Sequence, residues 1–266
     1  MAVIIKKGDH GSAVHDLQSR INLHGTRLIV DGWFGDATEA AVATIQRRAG
    51  LVVDGVAGPK TMAVLRGEDC NRRLKEADLQ AAADRLGVEL ACVKAVNEVE
   101  SRGSGFLDCG RPVILLERHV AYRQSKASGL PIDTLALRYP NLVSPNRGGY
   151  AGGTAEWSRF DNLRSVTTQQ IAVESCSWGL FQVMGYHWQT LGYASADDFQ
   201  LLMMFSEANQ LDAFIRFIED DPALLKALKA KKWAEFARRY NGPAYKENLY
   251  DAKLAAAYAK AERLAA

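Results

Sequence analysis

The front of the chain repeats itself, and this repeat restricts the fold more than any other feature. Ala13-Val14-His15-Asp16-Leu17-Gln18-Ser19-Arg20 is echoed by Ala41-Val42-Ala43-Thr44-Ile45-Gln46-Arg47-Arg48. Likewise Asp31-Gly32-Trp33-Phe34-Gly35-Asp36-Ala37-Thr38 is echoed by Asp54-Gly55-Val56-Ala57-Gly58-Pro59-Lys60-Thr61. Each Asp-Gly pair marks a tight turn, because glycine accepts positive φ and aspartate can bond its own backbone. Asp36 and Pro59, with the threonines behind them, are helix starters. Val14, Leu17 and Ile21, like Val42 and Ile45, recur at helical spacing. The expected unit is turn, helix, turn, helix: a small helical bundle ending near Leu65.

Behind it, Arg66-Gly67-Glu68-Asp69 reads as a short polar linker. Residues 75–86 predict a helix with Leu79, Ala82, Ala83 and Leu86 on one face and Gly87 as its stop. A second helix is expected over 89–100. Residues 123–165 differ: Gly149, Gly152 and Gly153, prolines, serines and scattered aromatics show no clear period. So long an irregular stretch is expected to be functional, for instance a flap over a cleft. Helices return after Ser165, over 199–219, 222–239 and a final alanine-rich segment. A chain of 266 residues has room for two compact units.

Composition removes several classes of function. With 48% hydrophobic and 24% charged residues, the chain is globular rather than disordered. A net charge of +2 without a basic block gives no footprint for nucleic acid. No apolar run approaches the roughly 20 residues of a membrane span. The first eight residues lack the apolar core of a secretory signal, so synthesis in a reducing cytoplasm is expected. There Cys70, Cys92, Cys109 and Cys176, far apart and without a CxxC, are read as free and mostly buried thiols. His10, His15, His24, His119 and His187 are too scattered for a metal set, so neither a metal nor a cofactor is expected.

Chemistry is expected at the end of the second helix, in Asn97-Glu98-Val99-Glu100-Ser101-Arg102-Gly103-Ser104-Gly105-Phe106. Glu98 falls opposite the Cys92–Val96–Val99 stripe, four residues after Lys94, and is expected to form a solvated ion pair with it. Glu100 lies nearer the apolar face in the last turn. A carboxylate there meets the negative end of the helix dipole, and partial burial adds desolvation of the same sign. Both should raise its pKa above the usual value of about 4.3. A glycosidase acid needs that shift to hold its proton near neutral pH.

The doubled D-G-x-x-G with aligned helices resembles the peptidoglycan-binding domain of many wall hydrolases, which places such a domain over 1–68. The resemblance implies wall contact at the turns, with Asp31, Trp33, Phe34 and Asp54 as candidates. Glu100-Ser101, followed by small residues, is similar to the helix end of goose-type lysozymes and lytic transglycosylases. The string through Phe106, with Leu116-Glu117-Arg118-His119, resembles the muramidase domain of modular bacteriophage endolysins. Ser177-Trp178-Gly179-Leu180-Phe181-Gln182 looks like the G-L-x-Q cleft motif of that superfamily, and Arg239-Tyr240-Asn241-Gly242-Pro243 like its Y-N-G segment. These motifs imply a catalytic domain over 75–266, with Glu100 as general acid and Ser101, Gly179, Gln182, Tyr240 and Asn241 at the substrate.

A second carboxylate stays open. Retaining and inverting hydrolases use two, roughly 5 Å or 6.5–9.5 Å apart. Asp108, Glu117 and Glu174 are the candidates, each with a structural alternative: Glu117 beside Arg111, Arg118 or His119, and Glu174 in a repeated Glu-Ser dipeptide. Tyr240, Trp178, Trp188 and Tyr186 are, as a group, candidates to stack on sugars. The expected fold is mainly α: a small helical-bundle binding domain followed by a larger lysozyme-like α+β domain with a marginal sheet. The resemblance implies a monomer that acts on bacterial peptidoglycan, without nucleic acid or membrane as partner. It would cut the MurNAc–GlcNAc β-1,4 bond at the periplasmic wall once the host membrane is breached. The alternatives are a lytic transglycosylase leaving 1,6-anhydro ends, or a non-catalytic wall-binding virion protein.

Overall fold

Two buried glutamines organise the repeat. In the computed structural model, which describes residues 4–101 and 103–265, helices α1 (Ser12–Leu23), α2 (Asp36–Arg48) and α3 (Pro59–Leu65) pack around Leu17, Ile21, Phe34, Val42 and Ala57. Gln18 on α1 donates to Asp31 Oδ1 (2.9 Å), Trp33 O (3.0 Å) and Thr38 Oγ1 (3.0 Å) and accepts the Gly32 N–H (2.9 Å). Gln46 on α2 repeats the pattern with Asp54 Oδ1 (2.7 Å), Val56 O (3.0 Å) and Thr61 Oγ1 (3.1 Å), accepting from Asp54 and Gly55 N–H. Each Asp-Gly turn is thus latched to the preceding helix by one carboxamide whose donors and acceptor are all used.

The molecule divides into two compact units, one drawn from residues up to 103 together with those from 221 onward, the other from 104–220. The first therefore joins the bundle to α4 (Glu76–Leu86), α5 (Leu90–Glu100) and the C-terminal helices α12 (Pro222–Lys229), α13 (Trp233–Asn241) and α14 (Tyr250–Ala265). Gly87, at φ +63°, ends α4 in the left-handed conformation as expected. Helix α14 lies along α5 and buries Leu254, Ala257 and Ala261, small residues at helical spacing that let the axes approach. Its far end is fastened to the bundle, where Arg263 donates twice to buried Glu39 (2.8 and 2.9 Å).

The second unit holds an antiparallel sheet of β1 (Ile114–Leu116), β2 (Cys176–Trp178) and β3 (Val183–Met184), with Ile114 opposite Trp178 and Ser177 opposite Met184. Helices α6 (Arg118–Ala127), α7 (Ile132–Arg138), α8 (Ala155–Val166), α9 (Gln169–Glu174), α10 (Ala196–Phe205) and α11 (Glu207–Asp220) surround it. Trp178 is wholly buried at the centre of edge-to-face contacts with Trp157, Phe160 and Phe199, at 5.7, 5.7 and 6.3 Å.

Two expectations are corrected here. The stretch 123–165 is mostly helical, with irregular backbone over 128–131 and 139–154. Its period was hidden because α8 buries Glu156 and Arg159 beside Trp157, Phe160 and Leu163, so polar residues interrupt the apolar stripe. The helices expected over 199–219 and 222–239 are each broken. Ser206 is extended, and Lys231 turns back with φ +52°. Of the four cysteines, all free, Cys92 and Cys176 are buried, but Cys109 is exposed.

Replacing Gln46 or Gln18 with alanine strands several buried turn groups, each worth about 1–3 kcal/mol. Either substitution should lower unfolding free energy in denaturant by about 2 kcal/mol or more, while Gln170→Ala on the exposed face of α9 should leave it nearly unchanged. Equal midpoints for all three would show that the latches are dispensable.

Candidate active site

Helix α5 carries Glu100 as its last residue, and the chain leaves at Ser101 in an extended conformation, the Ser101 N–H donating to Asn97 O at 3.0 Å. Cys92, Val93, Ala95 and Val96 face the core, and the turn bearing Glu100 is drawn in with them, leaving its side chain partly buried. Burial pushes the carboxyl up to about 6, opposed by one hydrogen bond. That bond comes from Asn241 Nδ2 at the end of α13, 2.9 Å from Glu100 Oε1. Tyr240, beside it, is partly buried and stacks on Phe236 at 6.1 Å. Glu100, Ser101, Tyr240 and Asn241 therefore belong to one unit although far apart in sequence. Arg102 of the motif lies outside the described residues.

Glu98 behaves otherwise than expected. Lys94 instead pairs with Glu76 and donates to Val53 O (3.0 Å), while Glu98 binds Lys260 on α14 at 3.0 Å. Helices packed on both sides of α5 supply nearer partners than its own next turn.

In the second unit, Gly179 and Gln182 shape one turn between β2 and β3. Gly179 has φ +71°, and a Cβ there would lie 2.4–2.6 Å from the Gln210 side chain, so only glycine fits. Gln182 holds an uncommon left-handed φ of +53°. Its side chain bonds within the turn: Oε1 accepts from Ser177 Oγ (2.9 Å) and Nε2 donates to Gly179 O (2.8 Å). Of two residues not anticipated from sequence, one holds this turn and the other holds the backbone at Gly105. Buried Gln210 accepts the Leu180 N–H (2.7 Å), and buried Glu207 accepts the Gly105 N–H (2.8 Å). Both interrupt the apolar face of α11, alongside Leu211, Phe214 and Ile218, and that interruption was the available signal.

The candidate second carboxylates fare differently. Glu174 is engaged by Gln170 Nε2 (2.8 Å) and Trp188 Nε1 (2.9 Å). Asp108 is exposed on the turn closed by the Leu107 N–H to Arg111 O bond (2.8 Å). Glu117, at the start of α6, accepts from Tyr150 OH (2.9 and 3.0 Å) and lies 3.2 Å from His119 Nδ1. Arg118 does not pair with it and instead donates to Asn146 O (2.9 Å) and Arg147 O (2.8 Å), pinning the irregular loop. Trp178 is core and has no surface for a sugar; Trp188 and Tyr186 are partly buried.

Within the bundle, Asp31 and Asp54 each give Oδ1 to a glutamine latch, Asp31 staying exposed, and Phe34 is wholly buried, with no surface for a wall polymer. Trp33 is 53% exposed and stacks on His10 with centroids 5.8 Å apart, so it is the aromatic this turn presents outward. Among the described residues there is no cluster of three or more metal-ligating side chains, and no helix is long and apolar enough to cross a membrane.

Residues 89–262, well over half of the chain, match the profile of a family described as N-acetylmuramidase. The chain belongs to the N-acetylmuramidase family. In this muramidase, residues 10–65 also match a peptidoglycan binding domain. The crystal structure of an endolysin from Burkholderia AP3 phage is similar along the muramidase's length, with a TM-score of 0.94 and 51% identity over 98% of this chain and 100% of that one. Shorter similarities connect it to a zinc D-Ala-D-Ala carboxypeptidase of Streptomyces albus G, 42% identical over 72 residues, and to a spore cortex-lytic enzyme of Bacillus cereus, 43% identical over 63 residues. These cover 25% and 23% of this chain and 28% and 24% of the relatives; the muramidase thus spans only about a quarter of their length.

The raised Glu100 carboxyl has a consequence for stability. Between its ordinary value of 4.5 and about 6, the folded state holds a proton that the unfolded state has lost, so stability falls as pH rises through this window and levels off above it. The penalty at neutral pH is about 2 kcal/mol. Glu100→Gln should stabilise the muramidase by up to that amount at pH 7.5 and by little at pH 4, read from denaturant unfolding at both values. A difference independent of pH would mean that the carboxyl is solvated.

Proposed function

We propose that the muramidase hydrolyses the β-1,4 bond between MurNAc and GlcNAc of bacterial peptidoglycan, with Glu100 as general acid. One observation carries the assignment: a carboxyl raised to about 6 by burial, with an amide donor, Asn241, on one oxygen. A carboxyl in that range keeps its proton in roughly a tenth of the molecules at pH 7, about thirty times the fraction for an exposed glutamate. The proton passes to the glycosidic oxygen as the C–O bond breaks, and positive charge develops at the sugar carbon. The carboxylate left behind is held by the Asn241 N–H, 2.9 Å away, and can then take a proton from the attacking water. That water, or the substrate's own acetamido group, can open the bond without a second ionised carboxylate. Ser101 and Tyr240 would contact the sugar beside Glu100. Gly179 and Gln182 would meet the substrate through the turn they shape in the second unit, and Glu117, already bonded to Tyr150, would serve as a supporting group.

In this scheme residues 1–68 hold the wall and residues 75–266 cut it, with Trp33 as the wall contact on the first turn. Tethering a cutter to an insoluble polymer raises its local concentration there. The similarity to a phage endolysin supports action on the wall of an infected cell; in this reading the chain works as a monomer at the periplasmic wall after the membrane is breached.

Glu100→Gln should abolish turbidity loss of permeabilised Gram-negative cells, by at least about 100-fold for loss of a general acid, while wall sedimentation is retained. Full lysis by the variant would remove Glu100 from the chemistry, and a wild type that binds but never lyses would favour a non-catalytic wall protein. Mass spectrometry of the released muropeptides should show reducing MurNAc ends; 1,6-anhydro ends would replace hydrolysis with transglycosylation. Asn241→Ala removes the bond that favours the Glu100 carboxylate, so the alkaline limb of the pH–rate profile should move upward. A limb that stays in place would separate Asn241 from proton transfer.

A further inference from the structure

A buried ion pair of the second unit is bonded to one surface loop. Glu156 and Arg159, three residues apart on α8, are both buried and meet at 2.7 Å. Such a pair needs further hydrogen bonds to offset its desolvation. Arg159 Nη2 donates to Asn141 O (2.6 Å), near the start of the irregular stretch 139–154. Glu156 accepts the Ala151 and Gly152 N–H groups (2.7 and 2.9 Å) near its end. Arg118 holds the carbonyls of Asn146 and Arg147 between them. The loop is thus clamped at both ends by groups from inside the unit.

Between its arms is a cleft of about 530 Å³, within the range of about 300–1,000 Å³ typical of small-ligand sites. Arg138, Tyr139 and Asn141 line it from the end of α7 and the first arm, Gly149 and Tyr150 from the second, and Asn162 from α8. Gly149 sits at φ +79° and presents bare backbone there. Tyr139 and Tyr150 are 36% and 47% exposed, so two phenol rings stay in contact with solvent. Tyr150 has its hydroxyl on Glu117, which leaves its ring to the cleft. Among the described residues, no hydrogen bond or ion pair engages the side chains of Arg138, Tyr139, Asn141 and Asn162. The described lining contains no acid.

Two aromatic faces, two side-chain amides, a hydroxyl and a guanidinium, with no anion among them, suit an amino sugar. Phenol rings stack on the apolar faces of a sugar, while the amides and the guanidinium bond its hydroxyl and acetamido oxygens. We propose that the cleft is an accessory saccharide site, holding a stretch of N-acetylated glycan strand that is not being cut. The identity of the ligand rests on the muramidase reading above. None of the residues assigned to bond cleavage lines the cleft, so a strand held there leaves the reacting sugars free. A second point of contact keeps the enzyme on an insoluble polymer between cuts.

The test uses the full chain and a soluble GlcNAc–MurNAc tetrasaccharide. Amide NMR of the Glu100→Gln chain, titrated with the tetrasaccharide, should shift Arg138, Tyr139, Asn141, Gly149 and Asn162 in a saturable way. Adding Arg138→Ala and Tyr139→Ala together should abolish the shifts at Asn141, Gly149 and Asn162, with thermal unfolding confirming that the chain is folded. Placed in the otherwise wild-type chain, the same pair should slow cleavage of insoluble walls about tenfold more than cleavage of the tetrasaccharide, as expected for two lost contacts. An unshifted cleft, or wall cleavage at the wild-type rate, would overturn the accessory site and leave the muramidase assignment standing. Equal losses on walls and tetrasaccharide would overturn it too, by making the cleft part of the cleavage site. A wild type that cuts neither substrate would remove the muramidase reading, and the shifts would still decide whether the cleft binds sugar.

Discussion

Desolvation of one helix end governs the chemistry. Glu100 would be an ordinary surface acid if α5 stood alone; in the folded unit it is partly buried, α13 brings Asn241 against it, and α14 returns from the far end of the chain to lie along α5. That contact buries Leu254 and two small side chains, Ala257 and Ala261. Arg263 then anchors the end of α14 on Glu39. Glu39 is buried and so needs its partner, while Arg263 keeps its carboxyl below the ordinary range. The last helix thus holds the bundle, the acid-bearing helix and, through α13, Asn241 in one unit. A glutamate raised by burial and a glutamate lowered by an arginine coexist there.

A second device recurs in both units: a buried amide or carboxylate that satisfies the backbone of a turn. Gln18 and Gln46 do this for the Asp-Gly turns, Gln210 for the turn at Leu180, Glu207 for Gly105, and Glu156 for Ala151 and Gly152. Turns lack the ladders that pair backbone groups in helices and sheets, so their N–H groups must find side chains or water. Where a turn must also present a surface, a side chain from inside is the only source that leaves the outer face clear. Gln182 shows the accompanying strain, a non-glycine residue held at positive φ by bonds to Ser177 and Gly179.

Stability and chemistry pull apart at Glu100. Ionising it in place works against folding, and the Asn241 bond returns only part of that loss. The balance is consistent with a proton donor, since an acid fully stabilised as its anion would not release a proton at the right moment.

Periodicity and turn chemistry in the linear chain were enough for the helical bundle, for α4 with its Gly87 stop, for α5 ending at Glu100, and for a mainly helical fold with a marginal sheet. Those features are local, fixed by residues within a few positions of each other. The same signals misplaced what depends on distant partners. Lys94 and Glu98 were paired along the helix, but α4 and α14 claim them. Asp31 and Asp54 were read only as wall contacts, yet each also gives Oδ1 to the glutamine on the preceding helix. Residues 123–165 looked irregular, because burying Glu156 and Arg159 broke the apolar pattern of α8. The value near 6 for Glu100 belongs wholly to tertiary structure. Motif and helix position marked which carboxyl to watch, but a pKa records how much water and which donors surround it, and here these are supplied by helices more than a hundred residues away.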